Sequence, residues 1–155
     1  MAGMSPDPAP GGFLHPVVGY DGSNPAKRAL DTAVRLMWGR AGRIDVVYVA
    51  HLSSVAMLSP GAVAEIEESF DEVEEELRAA AAEQLHDTGV AWEFERRQGI
   101  INEELVAAAT AIRDAHPDDP VAIVVGSSSQ AAHRLLGSVA VSLARHSPVP
   151  IIIVP

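Results

Sequence analysis

Residues 124–138, with the sequence VVGSSSQAAHRLLGS, combine glycines, hydroxyl groups, an amide and an imidazole in an order that suits anion binding. The segment overlaps the end of the apolar run 121–125, which predicts a buried parallel strand, and it leads through Gly137 and Ser138 into an apolar-periodic helix. Glycine allows a close approach of the backbone, and the free N–H groups of a helix N-terminus attract anions. The pattern is that of a phosphate-binding turn, although many strand-to-helix connections use Gly and Ser simply to turn tightly.

A carboxylate follows another predicted strand. Asp21 comes directly after residues 16–20, and Gly22 comes next. An Asp before a Gly often forms an Asx turn, in which its side chain bonds to the backbone two residues on. The same carboxylate would lie at the carboxyl end of a strand, where open α/β sheets bind their ligands. Both interpretations of Asp21, a turn former and a binding group, are open at this point.

Other chemistries lack the residues that they need. Ser127 to Ser129 lie near His133, but the chain has no Gly-x-Ser-x-Gly motif, and a serine in such a loop is usually a turn former or a helix cap. None of the histidines has a partner at the spacing of zinc motifs, so we expect no metal site. The six histidines are His15, His51, His86, His116, His133 and His146. His51 and His133 follow strands at one predicted edge of the sheet and could line one pocket.

Enzymatic phosphate chemistry is also unsupported. The motif Gly-x4-Gly-Lys-[Ser/Thr] is missing, and no lysine lies near residues 124–138. Nothing in the sequence pairs a metal-holding acid with a charge-stabilising cation. We therefore expect no enzyme, or at most a very slow ATPase.

Length and composition favour one domain. The chain has 155 residues, of which 48% are hydrophobic, which suffices for one core. Residues 1–12, rich in Pro and Gly, predict a disordered tail, and residues 13–155 a single domain. The absence of cysteine excludes thiol nucleophiles and disulfides and suits the cytoplasm. No apolar run is long enough to span a membrane.

The acidic charge is concentrated in one segment. The net charge is −10, and eight acidic residues lie between Glu65 and Glu76 without a basic one. Such a surface repels a phosphate backbone, which argues against nucleic-acid binding. We interpret the segment as the solvated face of a long helix over residues 62–87, with an acidic docking surface as the alternative.

Periodicity predicts strands that alternate with helices. Strands are expected over residues 16–20, 44–50, 90–98, 121–125 and 149–154. Helices are expected after Asn24, which would be the N-cap, and over residues 62–87, 101–115 and 138–146. Strict alternation predicts a doubly wound parallel α/β sheet with helices on both faces. The alternating charges of residues 90–98 place that strand at an edge.

Three stretches together resemble the universal stress protein family. They are VVGYDGS at residues 17–23, the end of the second strand at 47–49, and the final unit that begins VVGSSS and continues as LLGSVAVSLARHSPVPIIIV. The resemblance covers the chain from Pro16 to Pro155. It implies a five-stranded parallel sheet of order 3-2-1-4-5, similar to that of the adenine nucleotide alpha hydrolases. It also implies a nucleotide crevice between the first and fourth strands.

The resemblance assigns roles to particular residues. Asp21 would lie near the adenosine, and the backbone of Val49 would meet the edge of the adenine. Gly126 and the loop after it would approach the phosphates, and Gly137 with Ser138 would complete the cradle. ATP, with Mg²⁺, or a related adenine nucleotide is the implied ligand.

The loop departs from the family pattern in two places. The second loop glycine of the family falls on Ser129, and Gly137 follows Gly126 by eleven residues where the family has thirteen. The shorter loop thus lacks a residue that readily adopts positive φ. Ser127, Ser129 and His133 still supply polar groups that can reach an anion. Two functions stay open: a nucleotide-binding regulator, and a stress-related dimerisation and interaction module that binds no nucleotide.

The last predicted strand indicates how two copies of the chain could pair. Residues 151–154, with the sequence IIIV, would be an edge of the sheet in the order that the family implies. An unprotected aliphatic edge strand favours pairing with another chain, and members of the family dimerise through this strand. We therefore expect an isologous homodimer and a protein partner that the sequence does not identify.

Overall fold

The structure, a computed structural model, describes residues 11–51, 60–127 and 137–155. The strands in this part of the chain are Phe13–Gly19 (β1), Ala41–Gly42 (β2), Ile44–Ala50 (β3), Trp92–Gln98 (β4), Val121–Gly126 (β5) and Ile151–Val154 (β6). The helices are Asn24–Leu36 (α1), Pro60–Leu85 (α2), Ile101–Ala115 (α3) and Ser138–His146 (α4). None of these four helices combines the length and the apolar character that crossing a bilayer requires.

The main strands form a parallel sheet in the order β4-β3-β1-β5-β6. This is the order expected for the five predicted strands, and the prediction of a parallel α/β sheet with helices on both faces is confirmed. Strand β4 lies at an edge, as its alternating charges predicted. At the centre, Val17 of β1 lies beside Asp45 of β3 on one side and Ile123 of β5 on the other.

The sheet has six strands, so the prediction of five was wrong. The additional strand β2 has two residues and pairs with the start of β1, with Phe13 opposite Ala41. So short a strand carries no periodicity that could reveal it. It depends on Gly42, whose φ is 123° and where a Cβ would overlap the carbonyl of Leu14. A glycine at this position lets the chain lie against β1 before β3 begins.

The cap of the first helix is Ser23, and the prediction of Asn24 was wrong. The hydroxyl of Ser23 accepts a hydrogen bond from the N–H of Ala26 at 3.3 Å. Ser and Asn are about equally good N-cap residues, so residue type alone does not show which of the two caps the helix. The carboxylate of Asp21 favours Ser23, because its Oδ1 accepts the N–H of Ser23 at 3.0 Å and holds Ser23 in an extended conformation.

Each face of the sheet has its own apolar core. Val18 and Val124 belong to the core beneath α1 and α2, while Val17 and Ile123 belong to the core beneath α3 and α4. All four side chains are fully buried. Because neighbouring residues face opposite cores, the central strands are apolar without interruption, as parallel strands buried on both faces must be.

The acidic helix α2 packs mainly through its C-terminal half. Ala81 and Leu85 are buried, whereas Val63 near its start is 46% exposed. Its charged side contacts the edge strand, since Arg96 of β4 forms an ion pair with Asp71 at 2.6 Å. The charges of β4 therefore serve partly to hold the acidic helix against the sheet.

Replacing Gly42 by Ala tests the contribution of β2. The added methyl group would overlap the backbone of Leu14 at a positive φ, so we expect the free energy of unfolding to fall by more than about 3 kcal/mol. Gly39→Ala is the matched control, because Gly39 also has a positive φ but has open space around it. The free energy of unfolding of the Gly39→Ala variant should fall by only about 1–2 kcal/mol. Urea denaturation measures both, and equal losses would show that the overlap with Leu14 imposes no constraint.

Candidate functional site

A crevice opens where the central strands end. The chain leaves β1 toward α1 and β3, on one side of the sheet order, whereas β5 is followed by α4 and β6 on the other. The order of the strands therefore reverses between β1 and β5, and ligands of open α/β sheets bind at such a switch point. The described residues enclose a cavity of about 200 Å³ at this position.

The cavity is lined by the ends of three strands and by the starts of three helices. The strand residues are Gly19, Tyr20 and Asp21 after β1, Val47, Tyr48 and Val49 of β3, and Val125 and Gly126 of β5. The helix residues are Ser23, Pro25, Ala26, Ile101, Leu105, Gly137, Ser138, Val139 and Ala140. One wall is thus apolar, and polar groups lie at the ends of β1 and at the start of α4.

Five of the residues predicted from the sequence lie together at this cavity. They are Asp21, Val49, Gly126, Gly137 and Ser138. Two further predicted residues, Ser129 and His133, fall within residues 128–136, outside the described part of the chain. His51 is exposed, and its Nδ1 lies 3.1 Å from the carbonyl oxygen of Gly99, in the connection between β4 and α3. It is not among the described residues that line the cavity.

The backbone of Ser127 is already paired. Its N–H donates a hydrogen bond of 2.7 Å to the carbonyl oxygen of Val154, which continues the ladder between β5 and β6. The first amide after Gly126 therefore points along the sheet toward β6. The start of α4 supplies further amide groups to the described part of the site.

Gly126 has a packing role beside any role in binding. A Cβ at this position would overlap the backbone and side chain of Pro25 in the first turn of α1. The glycine thus lets the end of β5 lie directly against α1 and closes one wall of the cavity. A larger residue would push the two elements apart and open that wall.

The start of α4 supplies hydrogen-bond donors. Gly137 is its N-cap and provides no side-chain cap, and the first turn contains no acidic residue. The first N–H groups of a helix have no partner within the helix, and the helix dipole adds partial positive charge there. Ser138 adds a hydroxyl group at the same end. This end of the cavity is therefore suited to a phosphate or another anion.

Asp21 supplies the negative charge of the site. One of its oxygens accepts the N–H of Ser23, so the Asx turn anticipated from the sequence is present and fixes the carboxylate at the end of β1. Burial raises the pKa of Tyr20 and of Tyr48, and the charge of Asp21 raises both further. Both phenol groups therefore stay neutral at physiological pH. Among the described lining residues, these three have ionisable side chains.

Sequence reasoning missed one wall of the cavity. Ile101 and Leu105 of α3 contribute apolar surface to it, and Leu105 is almost completely buried. The periodicity of Leu105, Ala108, Ala109 and Ile112 indicated a helical face, but it did not show which part of the helix would extend past the end of the sheet. Tyr48 also lines the cavity, although the family resemblance assigns a binding role only to the backbone of its neighbour Val49.

The sequence matches the model of the universal stress protein family over residues 15–155. No protein of curated function matches it significantly. Among solved structures, the chain is similar to universal stress protein UspA from Lactobacillus plantarum, with 18% identity, a TM-score of 0.71, and coverage of 92% of this chain and 98% of that one.

Two further similar structures are described with a nucleotide. One is a universal stress protein in complex with cAMP, with 24% identity, a TM-score of 0.60, and coverage of 92% of this chain and 97% of that one. The other is a universal stress protein family protein from Arabidopsis thaliana with AMP bound, with 16% identity, a TM-score of 0.59, and coverage of 91% and 90%. The fold agrees, and the family model spans nearly all of the sequence. The chain therefore belongs to the universal stress protein family, as its motifs predicted.

Proposed function

We propose that this protein is a small cytoplasmic regulator that binds an adenine nucleotide in the crevice between β1 and β5 and acts as a homodimer. The observation that carries the proposal is the position of the start of α4, which opens onto the same cavity as Asp21 and the end of β3. Two family members with the same fold are described as complexes with cAMP and with AMP.

The two ends of the cavity suit the two ends of a nucleotide. Val49, Ile101 and Leu105 provide apolar surface on which an adenine ring can rest, and the backbone of Val49 can meet its polar edge. Asp21, held by its bond to Ser23, can accept a hydrogen bond from a ribose hydroxyl. The phosphate then lies at the start of α4, beside Gly137 and Ser138.

Charge bears on the choice of nucleotide. Asp21 is negative, and no lysine or arginine is among the described lining residues. A nucleotide with few negative charges therefore suits the described part of the site, and ATP would need Mg²⁺ to offset its charge. The described lining also holds no cation that could stabilise a phosphoryl transfer, so we expect no turnover beyond slow hydrolysis of ATP.

The hydrogen bond between Ser127 and Val154 connects the crevice to the edge of the sheet. It joins the first residue after β5 to the last residue of β6. A nucleotide that binds beside Gly126 can thereby affect β6, which is the surface expected to form the dimer. This link is the physical basis for a regulatory rather than a catalytic function.

Among the strands that the structure describes, β6 pairs with β5 alone. The carbonyl groups of Pro150 and Val154 accept hydrogen bonds from β5. Since the direction of backbone groups alternates along a strand, Ile152 also faces β5, while the N–H groups of Ile151 and Ile153 face away from it. An isologous dimer through this edge satisfies those groups and buries the half-exposed isoleucines.

The second candidate function is an interaction module without nucleotide. The hydrogen bond from the Ser127 N–H to Val154 favours this second function, since that N–H would otherwise be available to a phosphate. The shorter spacing between Gly126 and Gly137 supports it as well. In this case the dimer persists and the crevice has no ligand.

Replacing Ser138 by Asp separates the two candidates. The new carboxylate stabilises the start of α4 but repels a phosphate, so we expect at least tenfold weaker binding of AMP and cAMP without loss of thermal stability. Adenosine, which has no phosphate, should bind both proteins equally and is the control ligand. Isothermal titration calorimetry measures all three. If wild-type protein gives no heat with AMP, cAMP or ATP and Mg²⁺ at millimolar concentration, the nucleotide proposal fails.

Replacing Ile153 by Pro tests the dimer. Proline removes an N–H group that faces away from β5, so the sheet itself keeps its hydrogen bonds while pairing with a second chain is blocked. We expect the molar mass measured by light scattering after size exclusion to halve. Ile153→Val keeps the N–H group and should remain dimeric. A monomeric wild-type protein, or a dimeric proline variant, would contradict pairing through this edge.

A further inference from the structure

Two imidazole rings and a carboxylate meet at the end of the sheet opposite to the crevice. His15 lies near the start of β1, His116 caps the C-terminus of α3, and Asp119 lies in the connection to β5. Parallel pairing brings these segments together, because His15 is in register with Val121, and its N–H donates to the carbonyl of Pro120 at 2.9 Å.

The ligand atoms of the three side chains are close to one another. Nε2 of His15 lies 3.1 Å from Oδ2 of Asp119, and Nδ1 of His116 lies 3.9 Å from the same oxygen. One ligand atom from each residue lies within 4.8 Å of the others. The two rings are stacked, with centroids 5.0 Å apart and an interplanar angle of 17°.

The burial of the cluster is graded from the inside outward. His15 is only 7% exposed, and its Nδ1 is buried without a hydrogen-bond partner among the described residues. The side chain of Asp119 is 23% exposed and that of His116 is 53% exposed. The cluster thus has a fixed inner ligand and an outer one that can move, with access from solvent between them.

We propose that His15, His116 and Asp119 form a binding site for a divalent transition-metal ion of the type of Zn²⁺. Two imidazole nitrogens and one carboxylate oxygen are ligands that such ions prefer, and a water molecule would complete a tetrahedron. In a tetrahedral site with bonds of about 2.0–2.1 Å, ligand atoms lie about 3.3 Å apart. His15 and Asp119 meet this spacing. The Nδ1 of His116 is 3.9 Å from the Asp119 oxygen, and the three ligand atoms lie within 4.8 Å of one another, so the exposed ring of His116 must turn out of the stack to reach the ion.

An ion pair between His15 and Asp119 that only stabilises the fold would not explain why His116 lies beside them. One histidine and one carboxylate would suffice to fasten the start of β1 to the connection before β5. The second imidazole, stacked on the first, adds no hydrogen bond to the pair. A shared cation gives all three side chains a role.

The carboxylate of Asp45, which also interacts electrostatically with His15, is already paired. Asp45 of β3 is buried and forms an ion pair with Arg43 at 2.8 Å. Arg43 also forms an ion pair with Glu93 at 2.8 Å. Arg43 is thereby held by two carboxylates, those of Asp45 and Glu93, whereas Asp119 pairs with the two histidines. A bound metal would clamp the connection between α3 and β5 to β1, and it would do so about 20 Å from Asp21, at ~3.3 Å per residue along the strand. The site is therefore independent of the proposed nucleotide function.

Metal titration of tag-free, metal-stripped full-length protein tests the site. We expect Co²⁺ to bind one ion per chain with the visible absorption of a tetrahedral complex, and Zn²⁺ to displace it and to raise the melting temperature. His116→Ala and Asp119→Asn should each weaken Zn²⁺ binding about 100-fold, since even the loss of a group that only hydrogen-bonds to a metal ligand costs about 10–100-fold in metal affinity. His86→Ala is the matched control, because His86 and Asp87 form an exposed pair at 2.9 Å without a second imidazole. It should leave binding unchanged.

Folding and binding are separated in the same experiment. The half-exposed His116 can be removed with little loss of packing, so the melting temperature of His116→Ala in chelator should match that of the wild type. If it does not, His116→Gln keeps the size of the side chain and replaces it in the titration. Absence of saturable binding to the wild type overturns the proposal, as does binding that persists at equal affinity in both His116 and Asp119 variants.

Discussion

The parallel pairing of β1 with β5 is the constraint on which the rest of the molecule depends. These two strands lie at the centre of the sheet, are buried on both faces, and are the place where the order of the strands reverses. At their carboxyl ends the chain departs in opposite directions and leaves the crevice between Asp21 and the start of α4. At their amino ends the same register brings His15 beside the connection that carries Asp119. One pairing thus creates both sites, at opposite ends of the sheet.

The crevice is formed more by backbone than by side chains. Gly126 lets β5 approach α1, Gly137 leaves the first turn of α4 without a side-chain cap, and the Asx turn of Asp21 positions both a carboxylate and the cap of α1. In its described part, the site offers hydrogen-bond donors and a shaped cavity but few ionisable side chains. The bond from Ser127 to Val154 joins the end of β5 to the edge of the sheet.

The sequence predicted the fold well because its signals are local. Uninterrupted apolar runs indicated strands buried on both faces, and their alternation with amphipathic helices indicated parallel crossovers. The motifs at residues 17–23 and in the final unit identified the family, and five predicted site residues lie at one cavity. What escaped prediction also has a local explanation. A strand of two residues has no period, and the choice between Ser23 and Asn24 as cap depended on a bond from Asp21.

The tertiary structure alone decided what residues distant in the chain do together. His15, His116 and Asp119 do not have the spacing of a known metal-binding motif, so the sequence predicted no metal site. The three side chains meet only because β1 and β5 pair in one register. Likewise, the glycine at position 126 indicated a close approach, and only the packed structure showed that the approaching group in the described residues is Pro25. Sequence periodicity thus determined which elements form and which faces they bury, whereas contacts between ends of different elements required the register and packing of the folded chain.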